Sequence, residues 1–202
     1  MEWSQFIQEL FRLAEPYLAV RMDLPHAQIS HQYCLRLLNE EGGDKQIVEP
    51  AVILHDVGWS KLTPEQIKIA FGVRAGGEEA NRLNRIHEVE GSIIACRLLQ
   101  DLDYDPIFIK QITLMLGRHD SGNDPESLEE KILKDSDKLW RFSGIGFWNE
   151  IERQGLDSLE LYRFLEERRP AWFFLPTALF LAEEELKVRA QEIADRSGPS
   201  VP

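Results

Sequence analysis

The sequence predicts an all-α fold, a single-domain helical bundle, from three observations. Apolar residues recur at helical spacing along most of the chain. Residues that start and stop helices fall between those runs. At 202 residues the chain has room for one closed hydrophobic core, and two domains would be cramped.

The elements follow in order. Trp3, Phe6, Ile7, Leu10, Phe11, Ala14, Tyr17 and Leu18 trace one buried helix face, which Pro16 is expected to end or kink. A second helix over about Ala27 to Asn39 turns Ile29, Tyr33, Leu37 and Leu38 inward and stops at Gly42-Gly43. Pro50 suits the first turn of a third, running to about Val57. It is apolar nearly all round, which reads as a central core helix, with a short strand as the competing reading.

Thr63-Pro64-Glu65-Gln66 carries an N-cap threonine, a first-turn proline and a glutamine placed as in a capping box. Gly72 to Glu79 reads as a flexible loop. Further helices are expected over Ile86–Gln100, Pro106–Arg118, Leu128–Phe142, Leu159–Arg168 and Thr177–Arg196, with a frayed tail from Ser197.

Composition narrows the function. A net charge of -12 repels nucleic-acid backbones, so DNA and RNA are not expected partners. A small anionic substrate stays open, because a bound metal reverses the local field. Two distant cysteines, Cys34 and Cys96, form no disulfide framework, which fits a reducing cytoplasm. The start Met1-Glu2-Trp3 has no basic region before an apolar run, so no secretory signal is expected. The most apolar stretch, Ala171 to Ala182, is too short to span a bilayer. A homo-oligomer is compatible with all of this.

The chemistry rests on histidines and acids. His55-Asp56 ends the most hydrophobic helix, where an unpaired carboxylate is costly and a divalent cation would pair with it. His31 lies one helix earlier, and Asp135 and Asp137 sit in an apolar-periodic helix later. Each has a plainer reading as a solvated helix face or a simple helix end.

In order, the residues His31, then Ile53-Leu54-His55-Asp56-Val57-Gly58, then Asp135-Ser136-Asp137-Lys138-Leu139 resemble the HD-domain superfamily of metal-dependent phosphohydrolases, over about Leu24 to Phe142. The helices of residues 159–196 would pack on that core. Ile86-His87-Glu88-Val89-Glu90-Gly91 and Gly117-Arg118-His119-Asp120 resemble the helices of members that carry a second metal.

The resemblance implies that His31, His55, Asp56 and Asp137 hold one metal, with Asp56 bridging to a second on His87 and His119. Asp135 is the alternative to Asp137. One or two divalent ions are expected, from among Mn, Fe, Ni, Co, Zn and Mg. Two such ions about 3.5–4 Å apart activate a water and clamp the oxygens of a phosphate ester.

His26 reads either as a substrate or supporting contact or as a helix-start cap. Lys61 and Arg118 are the cations expected in catalysis beside His55 and Asp56, because they neighbour proposed ligands. Arg82, Arg85 and Arg141 are further candidates for substrate phosphate, with Arg74 a weaker one. Residues Lys61 to Arg85, anchored at both ends near ligands, read as a mobile lid or as a plain surface connection. Trp59 stands where many members carry lysine, and the signatures of cyclic-dinucleotide phosphodiesterases and guanosine-tetraphosphate hydrolases are missing.

Three functions follow from this reading. The first is hydrolysis of a small phosphate ester or nucleotide. The second is oxidative cleavage by a di-iron oxygenase of the same fold, and the third a non-catalytic metal-binding module.

Overall fold

The computed structural model describes residues 2–21, 23–122 and 124–197, so most of the tail expected to fray lies outside them. Ten α-helices and three short 3-10 turns make up the regular structure of those residues, with no strand among them. The helices are α1 Trp3–Leu18, α2 Leu24–Glu41, α3 Lys45–Leu54, α4 Pro64–Ala70 and α5 Glu78–Asp101. They continue as α6 Pro106–Leu116, α7 Leu128–Leu139, α8 Gly144–Gln154, α9 Ser158–Trp172 and α10 Pro176–Ser197. No helix among them is long and apolar enough to cross a membrane.

Helix α3 is the axis of the core. Every residue from Ile47 to Leu54 is buried, and α1, α2, α6 and α7 pack around it. Fully burying a side chain such as Ile53 or Leu54 contributes about 1.5–3 kcal/mol, so a helix apolar all round must lie here. The competing strand reading is excluded.

The start of α3 differs from expectation. Asp44 caps it, accepting from Gln46 N at 2.9 Å, and Pro50 lies inside the helix rather than in its first turn. An interior proline leaves the carbonyl four residues back without its amide partner. That carbonyl is Gln46 O, and the Tyr104 hydroxyl donates to it at 2.6 Å. A distant tyrosine therefore replaces the bond that Pro50 removes.

Pro16 also stays inside its helix, and α1 passes into the 3-10 turn Ala19–Arg21 only after Leu18. The Thr63–Gln66 capping box forms as expected. Helix α5 begins eight residues before the expected start, and α8 was not expected at all. Ser143 caps α8 through Gly146 N at 3.0 Å, and Gly155, in the left-handed region at φ +61°, ends it. The aromatic C-terminal part is largely core: Trp140, Phe142 and Phe147 are buried, and α10 packs on α9, α7 and α2.

Candidate metal centre

Five segments bring donors together, and His26, Asp56 and Asp137 among them line one cavity. His26 lies in the first turn of α2, and His55-Asp56 follow the last residue of α3. His87 lies within α5, His119 just past α6, and Asp137 near the end of α7. Gly58 makes the central approach possible. A Cβ there would collide with His87 O and stand 2.6 Å from Gly91 N. The turn Val57–Lys61 can therefore lie directly on α5 only with glycine at 58, which brings Asp56 to His87.

Two groups of donor atoms result, His26–His55–Asp137 and Asp56–His87–His119, and Asp56 also closes a third with Asp23 and His26. His26 Nε2 is 2.9 Å from Asp137 Oδ1, and its Nδ1 is 3.0 Å from Asp56 Oδ2. His55 Nδ1 donates to Val52 O at 2.7 Å. A carbonyl only accepts, so this bond holds the Nδ1 proton on the backbone side and leaves Nε2 facing the carboxylates. His55 Nε2 is buried without a hydrogen-bond partner, 3.4 Å from Asp137 Oδ1 and 3.6 Å from Asp56 Oδ2. His119 is held alike, Nδ1 on Leu116 O at 2.8 Å, with Nε2 3.3 Å from His87 Nε2.

The two halves differ electrostatically. Burial would lower the His55 pKa, but Asp56 and Asp137 overcome it and raise it to about 10. Burial and the neighbouring His119 lower His87 to about 4, so it presents a neutral nitrogen. Burial opposes ionisation of Asp56, yet His55 and Arg21 hold its carboxyl well below the usual range. An inward buried nitrogen without a partner, beside ionised carboxylates, is a donor set that fits a divalent cation.

Several expectations are corrected. His31 does not reach this cavity. Its Nε2 meets Glu49 Oε2 at 2.9 Å, on the side of α2 that faces α1 and α3, where it also packs edge-on to Phe11. His26, five residues earlier, occupies the expected place, because the structured start of α2 comes three residues before Ala27. Asp135 points away: its two oxygens accept from Phe174 N and Leu175 N, capping the entry to α10. Burial raises its pKa to about 7.

The expected cations mostly turn elsewhere. Lys61 is exposed and lines no wall of the cavity. Arg118 is taken by Glu126 and Glu130, Arg82 by Glu79, Arg74 by Glu160, and Arg85 by Glu88 and Gly117 O. Arg82 and Arg85 lie on α5, so they are not on a lid. The segment before them does border the cavity, through Ala70, Phe71, Gly72 and Ala75.

Arg141 lines the cavity, and its guanidinium makes no hydrogen bond or ion pair among the described residues. The cavity holds about 240 Å³ and adjoins a lobe of about 320 Å³ that shares Gly72, Ala75, Asp120, Asp137 and Arg141. A larger groove of about 630 Å³ runs between α2 and α10, but none of the converging donors lines it.

The family model of the HD domain matches residues 26–141. The chain belongs to the HD-domain family. The match opens on His26 and closes on Arg141, spanning both the His26–His55–Asp137 and the Asp56–His87–His119 trios. This HD-domain chain also shares its fold with a crystal structure described as a predicted HD superfamily hydrolase from an uncultured Thermotogales bacterium. The TM-score is 0.62 at 18% identity, over 97% of each chain. Comparison with curated proteins gave no match.

Sequence reasoning missed three residues of the HD-domain site. Arg21 reaches Asp56 Oδ2 at 2.7 Å while stacked over Trp59 and Phe71 at 4.5 and 4.3 Å. Nothing local in the sequence marks it. Trp59 donates to Asp56 Oδ1 at 2.9 Å, and Asp120 lines the cavity beside His119. Both adjoin ligand candidates, so their neighbourhood was the available signal.

Proposed function

We propose that this chain is a metal-dependent phosphohydrolase acting on a small phosphate ester. The observation that carries this reading is the pair of adjoining donor trios, whose His26, Asp56 and Asp137 line a cavity together with Arg141, an arginine without a partner among the described residues. His26, His55, Asp56 and Asp137 would hold one ion, and His87, His119 and Asp56 a second. Divalent ions so placed supply a hydroxide-like water at neutral pH and offset charge on phosphate oxygens.

The remaining work falls to the chain. Val52 O and Leu116 O keep His55 and His119 in the tautomers that face the cavity. Arg21 and Trp59 hold the two oxygens of Asp56 in one orientation. Arg141 offers a planar fork of donors to a phosphate without first giving up a partner. Lys138 is less available, since its Nζ donates to Trp172 O at 2.5 Å.

The test is metal analysis of anaerobically purified protein, followed by a phosphate-release assay over a panel of phosphate esters with each candidate ion. Phosphate release that chelator abolishes, and that Arg141→Gln impairs mainly through KM, supports the reading. Oxygen consumption without phosphate release, with two irons bound, overturns it.

A further inference from the structure

Beside the Asp56–His87–His119 trio stands another carboxylate. Asp120 Oδ2 lies 3.7 Å from His87 Nε2 and 4.0 Å from His119 Nε2. The two histidine nitrogens are 3.3 Å apart, and Asp56 Oδ1 is 3.8 Å from His87 Nε2. Donors about 2.0–2.2 Å from one tetrahedral ion stand about 3.3–3.6 Å from each other. The observed separations match that or exceed it by a few tenths of an ångström. The Asp120 side chain is 40% exposed and makes no hydrogen bond among the described residues, so a small rotation covers the difference.

The backbone at Asp120 is pinned from two sides. Glu88, fully buried, accepts from Asp120 N at 2.9 Å, Ser121 N at 2.7 Å and Ser121 Oγ at 2.7 Å. Lys134, also buried, donates to Arg118 O, His119 O and Gly122 O. Buried charges are costly unless fully paired, and here each is paired to the backbone of one turn. Orienting His119 alone needs only its bond to Leu116 O. The pins act beyond it, on Asp120 and its successors.

Charge points the same way. Asp120 shares the cavity with Asp56, Asp137, Arg21 and Arg141; Arg21 is already shared between Asp23 and Asp56, so a further cation among the three carboxylates is favoured.

We propose that Asp120 is a further metal ligand, completing a His87–His119–Asp56–Asp120 set at the second position. This rests on the reading of the centre as metal-dependent. Two imidazoles and two carboxylates suit Mn, Fe, Co or Zn rather than a thiolate-seeking ion. Three carboxylates against two divalent ions leave one positive charge, which draws a phosphate into a chain of net charge -12.

The experiment is calorimetric titration of metal-depleted protein with Mn²⁺ and Zn²⁺, with bound metal counted by mass spectrometry. The wild type is expected to bind two ions. Asp120→Asn should weaken one of them at least tenfold and leave the other unchanged, and Asp120→Glu should recover part of the loss. Unfolding midpoints in chelator should match the wild type, since the side chain supports no packing. An Asp120→Asn protein that binds two ions at wild-type affinity overturns this assignment and leaves the metal-dependent reading standing. A wild type that binds a single ion also overturns it. A wild type that binds none overturns both.

Discussion

Trp59 lies flat on His87, with ring centroids 4.2 Å apart and planes 12° from parallel, while its indole N–H donates to Asp56 Oδ1 at 2.9 Å. One side chain therefore packs against one donor of the second position and orients another. Trp59→Phe keeps the stack and removes the hydrogen bond. It should weaken one metal ion about 10–100-fold, as loss of a supporting partner does. Trp59→Ala should also cost about 3–5 kcal/mol of stability, because Trp59 is only 4% exposed. Metal titration and denaturant melts check these, and unchanged affinity in Trp59→Phe would sink the supporting role.

His26 and His31 should separate cleanly. His26→Ala removes a donor and should abolish tight binding of one ion. His31→Ala should leave metal content intact. It strips the buried Glu49 carboxylate of one of two partners, the other being Trp3 Nε1 at 3.0 Å, and should cost about 1–3 kcal/mol. Metal loss in His31→Ala would restore it as a ligand.

The two aspartates of α7 make a second contrast. Asp137→Asn should lose metal, and Asp135→Asn should keep it. Asp135→Ala leaves Phe174 N and Leu175 N without their acceptor and should destabilise the docking of α10 by about 1–3 kcal/mol. The reverse pattern of metal loss would move the ligand to Asp135.

His55 gives a pH dependence. Its pKa is raised from 6.5 to about 10 in the folded metal-free chain. Between those values the folded state holds a proton that the unfolded state releases, so stability falls as pH rises through that window. Melts in chelator from pH 6.5 to 10 should show the fall, and His55→Gln should flatten it. A divalent ion competes with the same proton, so metal affinity should rise with pH across that window. A wild-type melting temperature that stays level would contradict the assignment.

Much of the fold was legible because local rules dominate it. The Thr63–Gln66 box and the helical apolar spacing act within a few residues. The first two turns of helix α5 are not legible because Glu78 to Arg85 is mostly polar and follows the loop glycines directly. Helix α8 is not legible from apolar spacing because its start is glycine-rich, and a lone Ser143 cap is a weak local signal.

The sequence by itself determined the helical class, the central burial of α3 and the identity of most converging donors. These depend on residue type and periodicity, which a chain carries locally. Only the tertiary structure places His26 rather than His31, and Asp137 rather than Asp135, among the converging donors. It also decided which arginine meets the cavity. Residues five apart on a helix, or two apart, face different neighbours once that helix is packed, and packing is set by other segments. Glu49 on α3 claims His31, the entry to α10 claims Asp135, and acidic partners claim Arg82, Arg85 and Arg118. Arg141 faces the cavity because no acid among the described residues pairs with it.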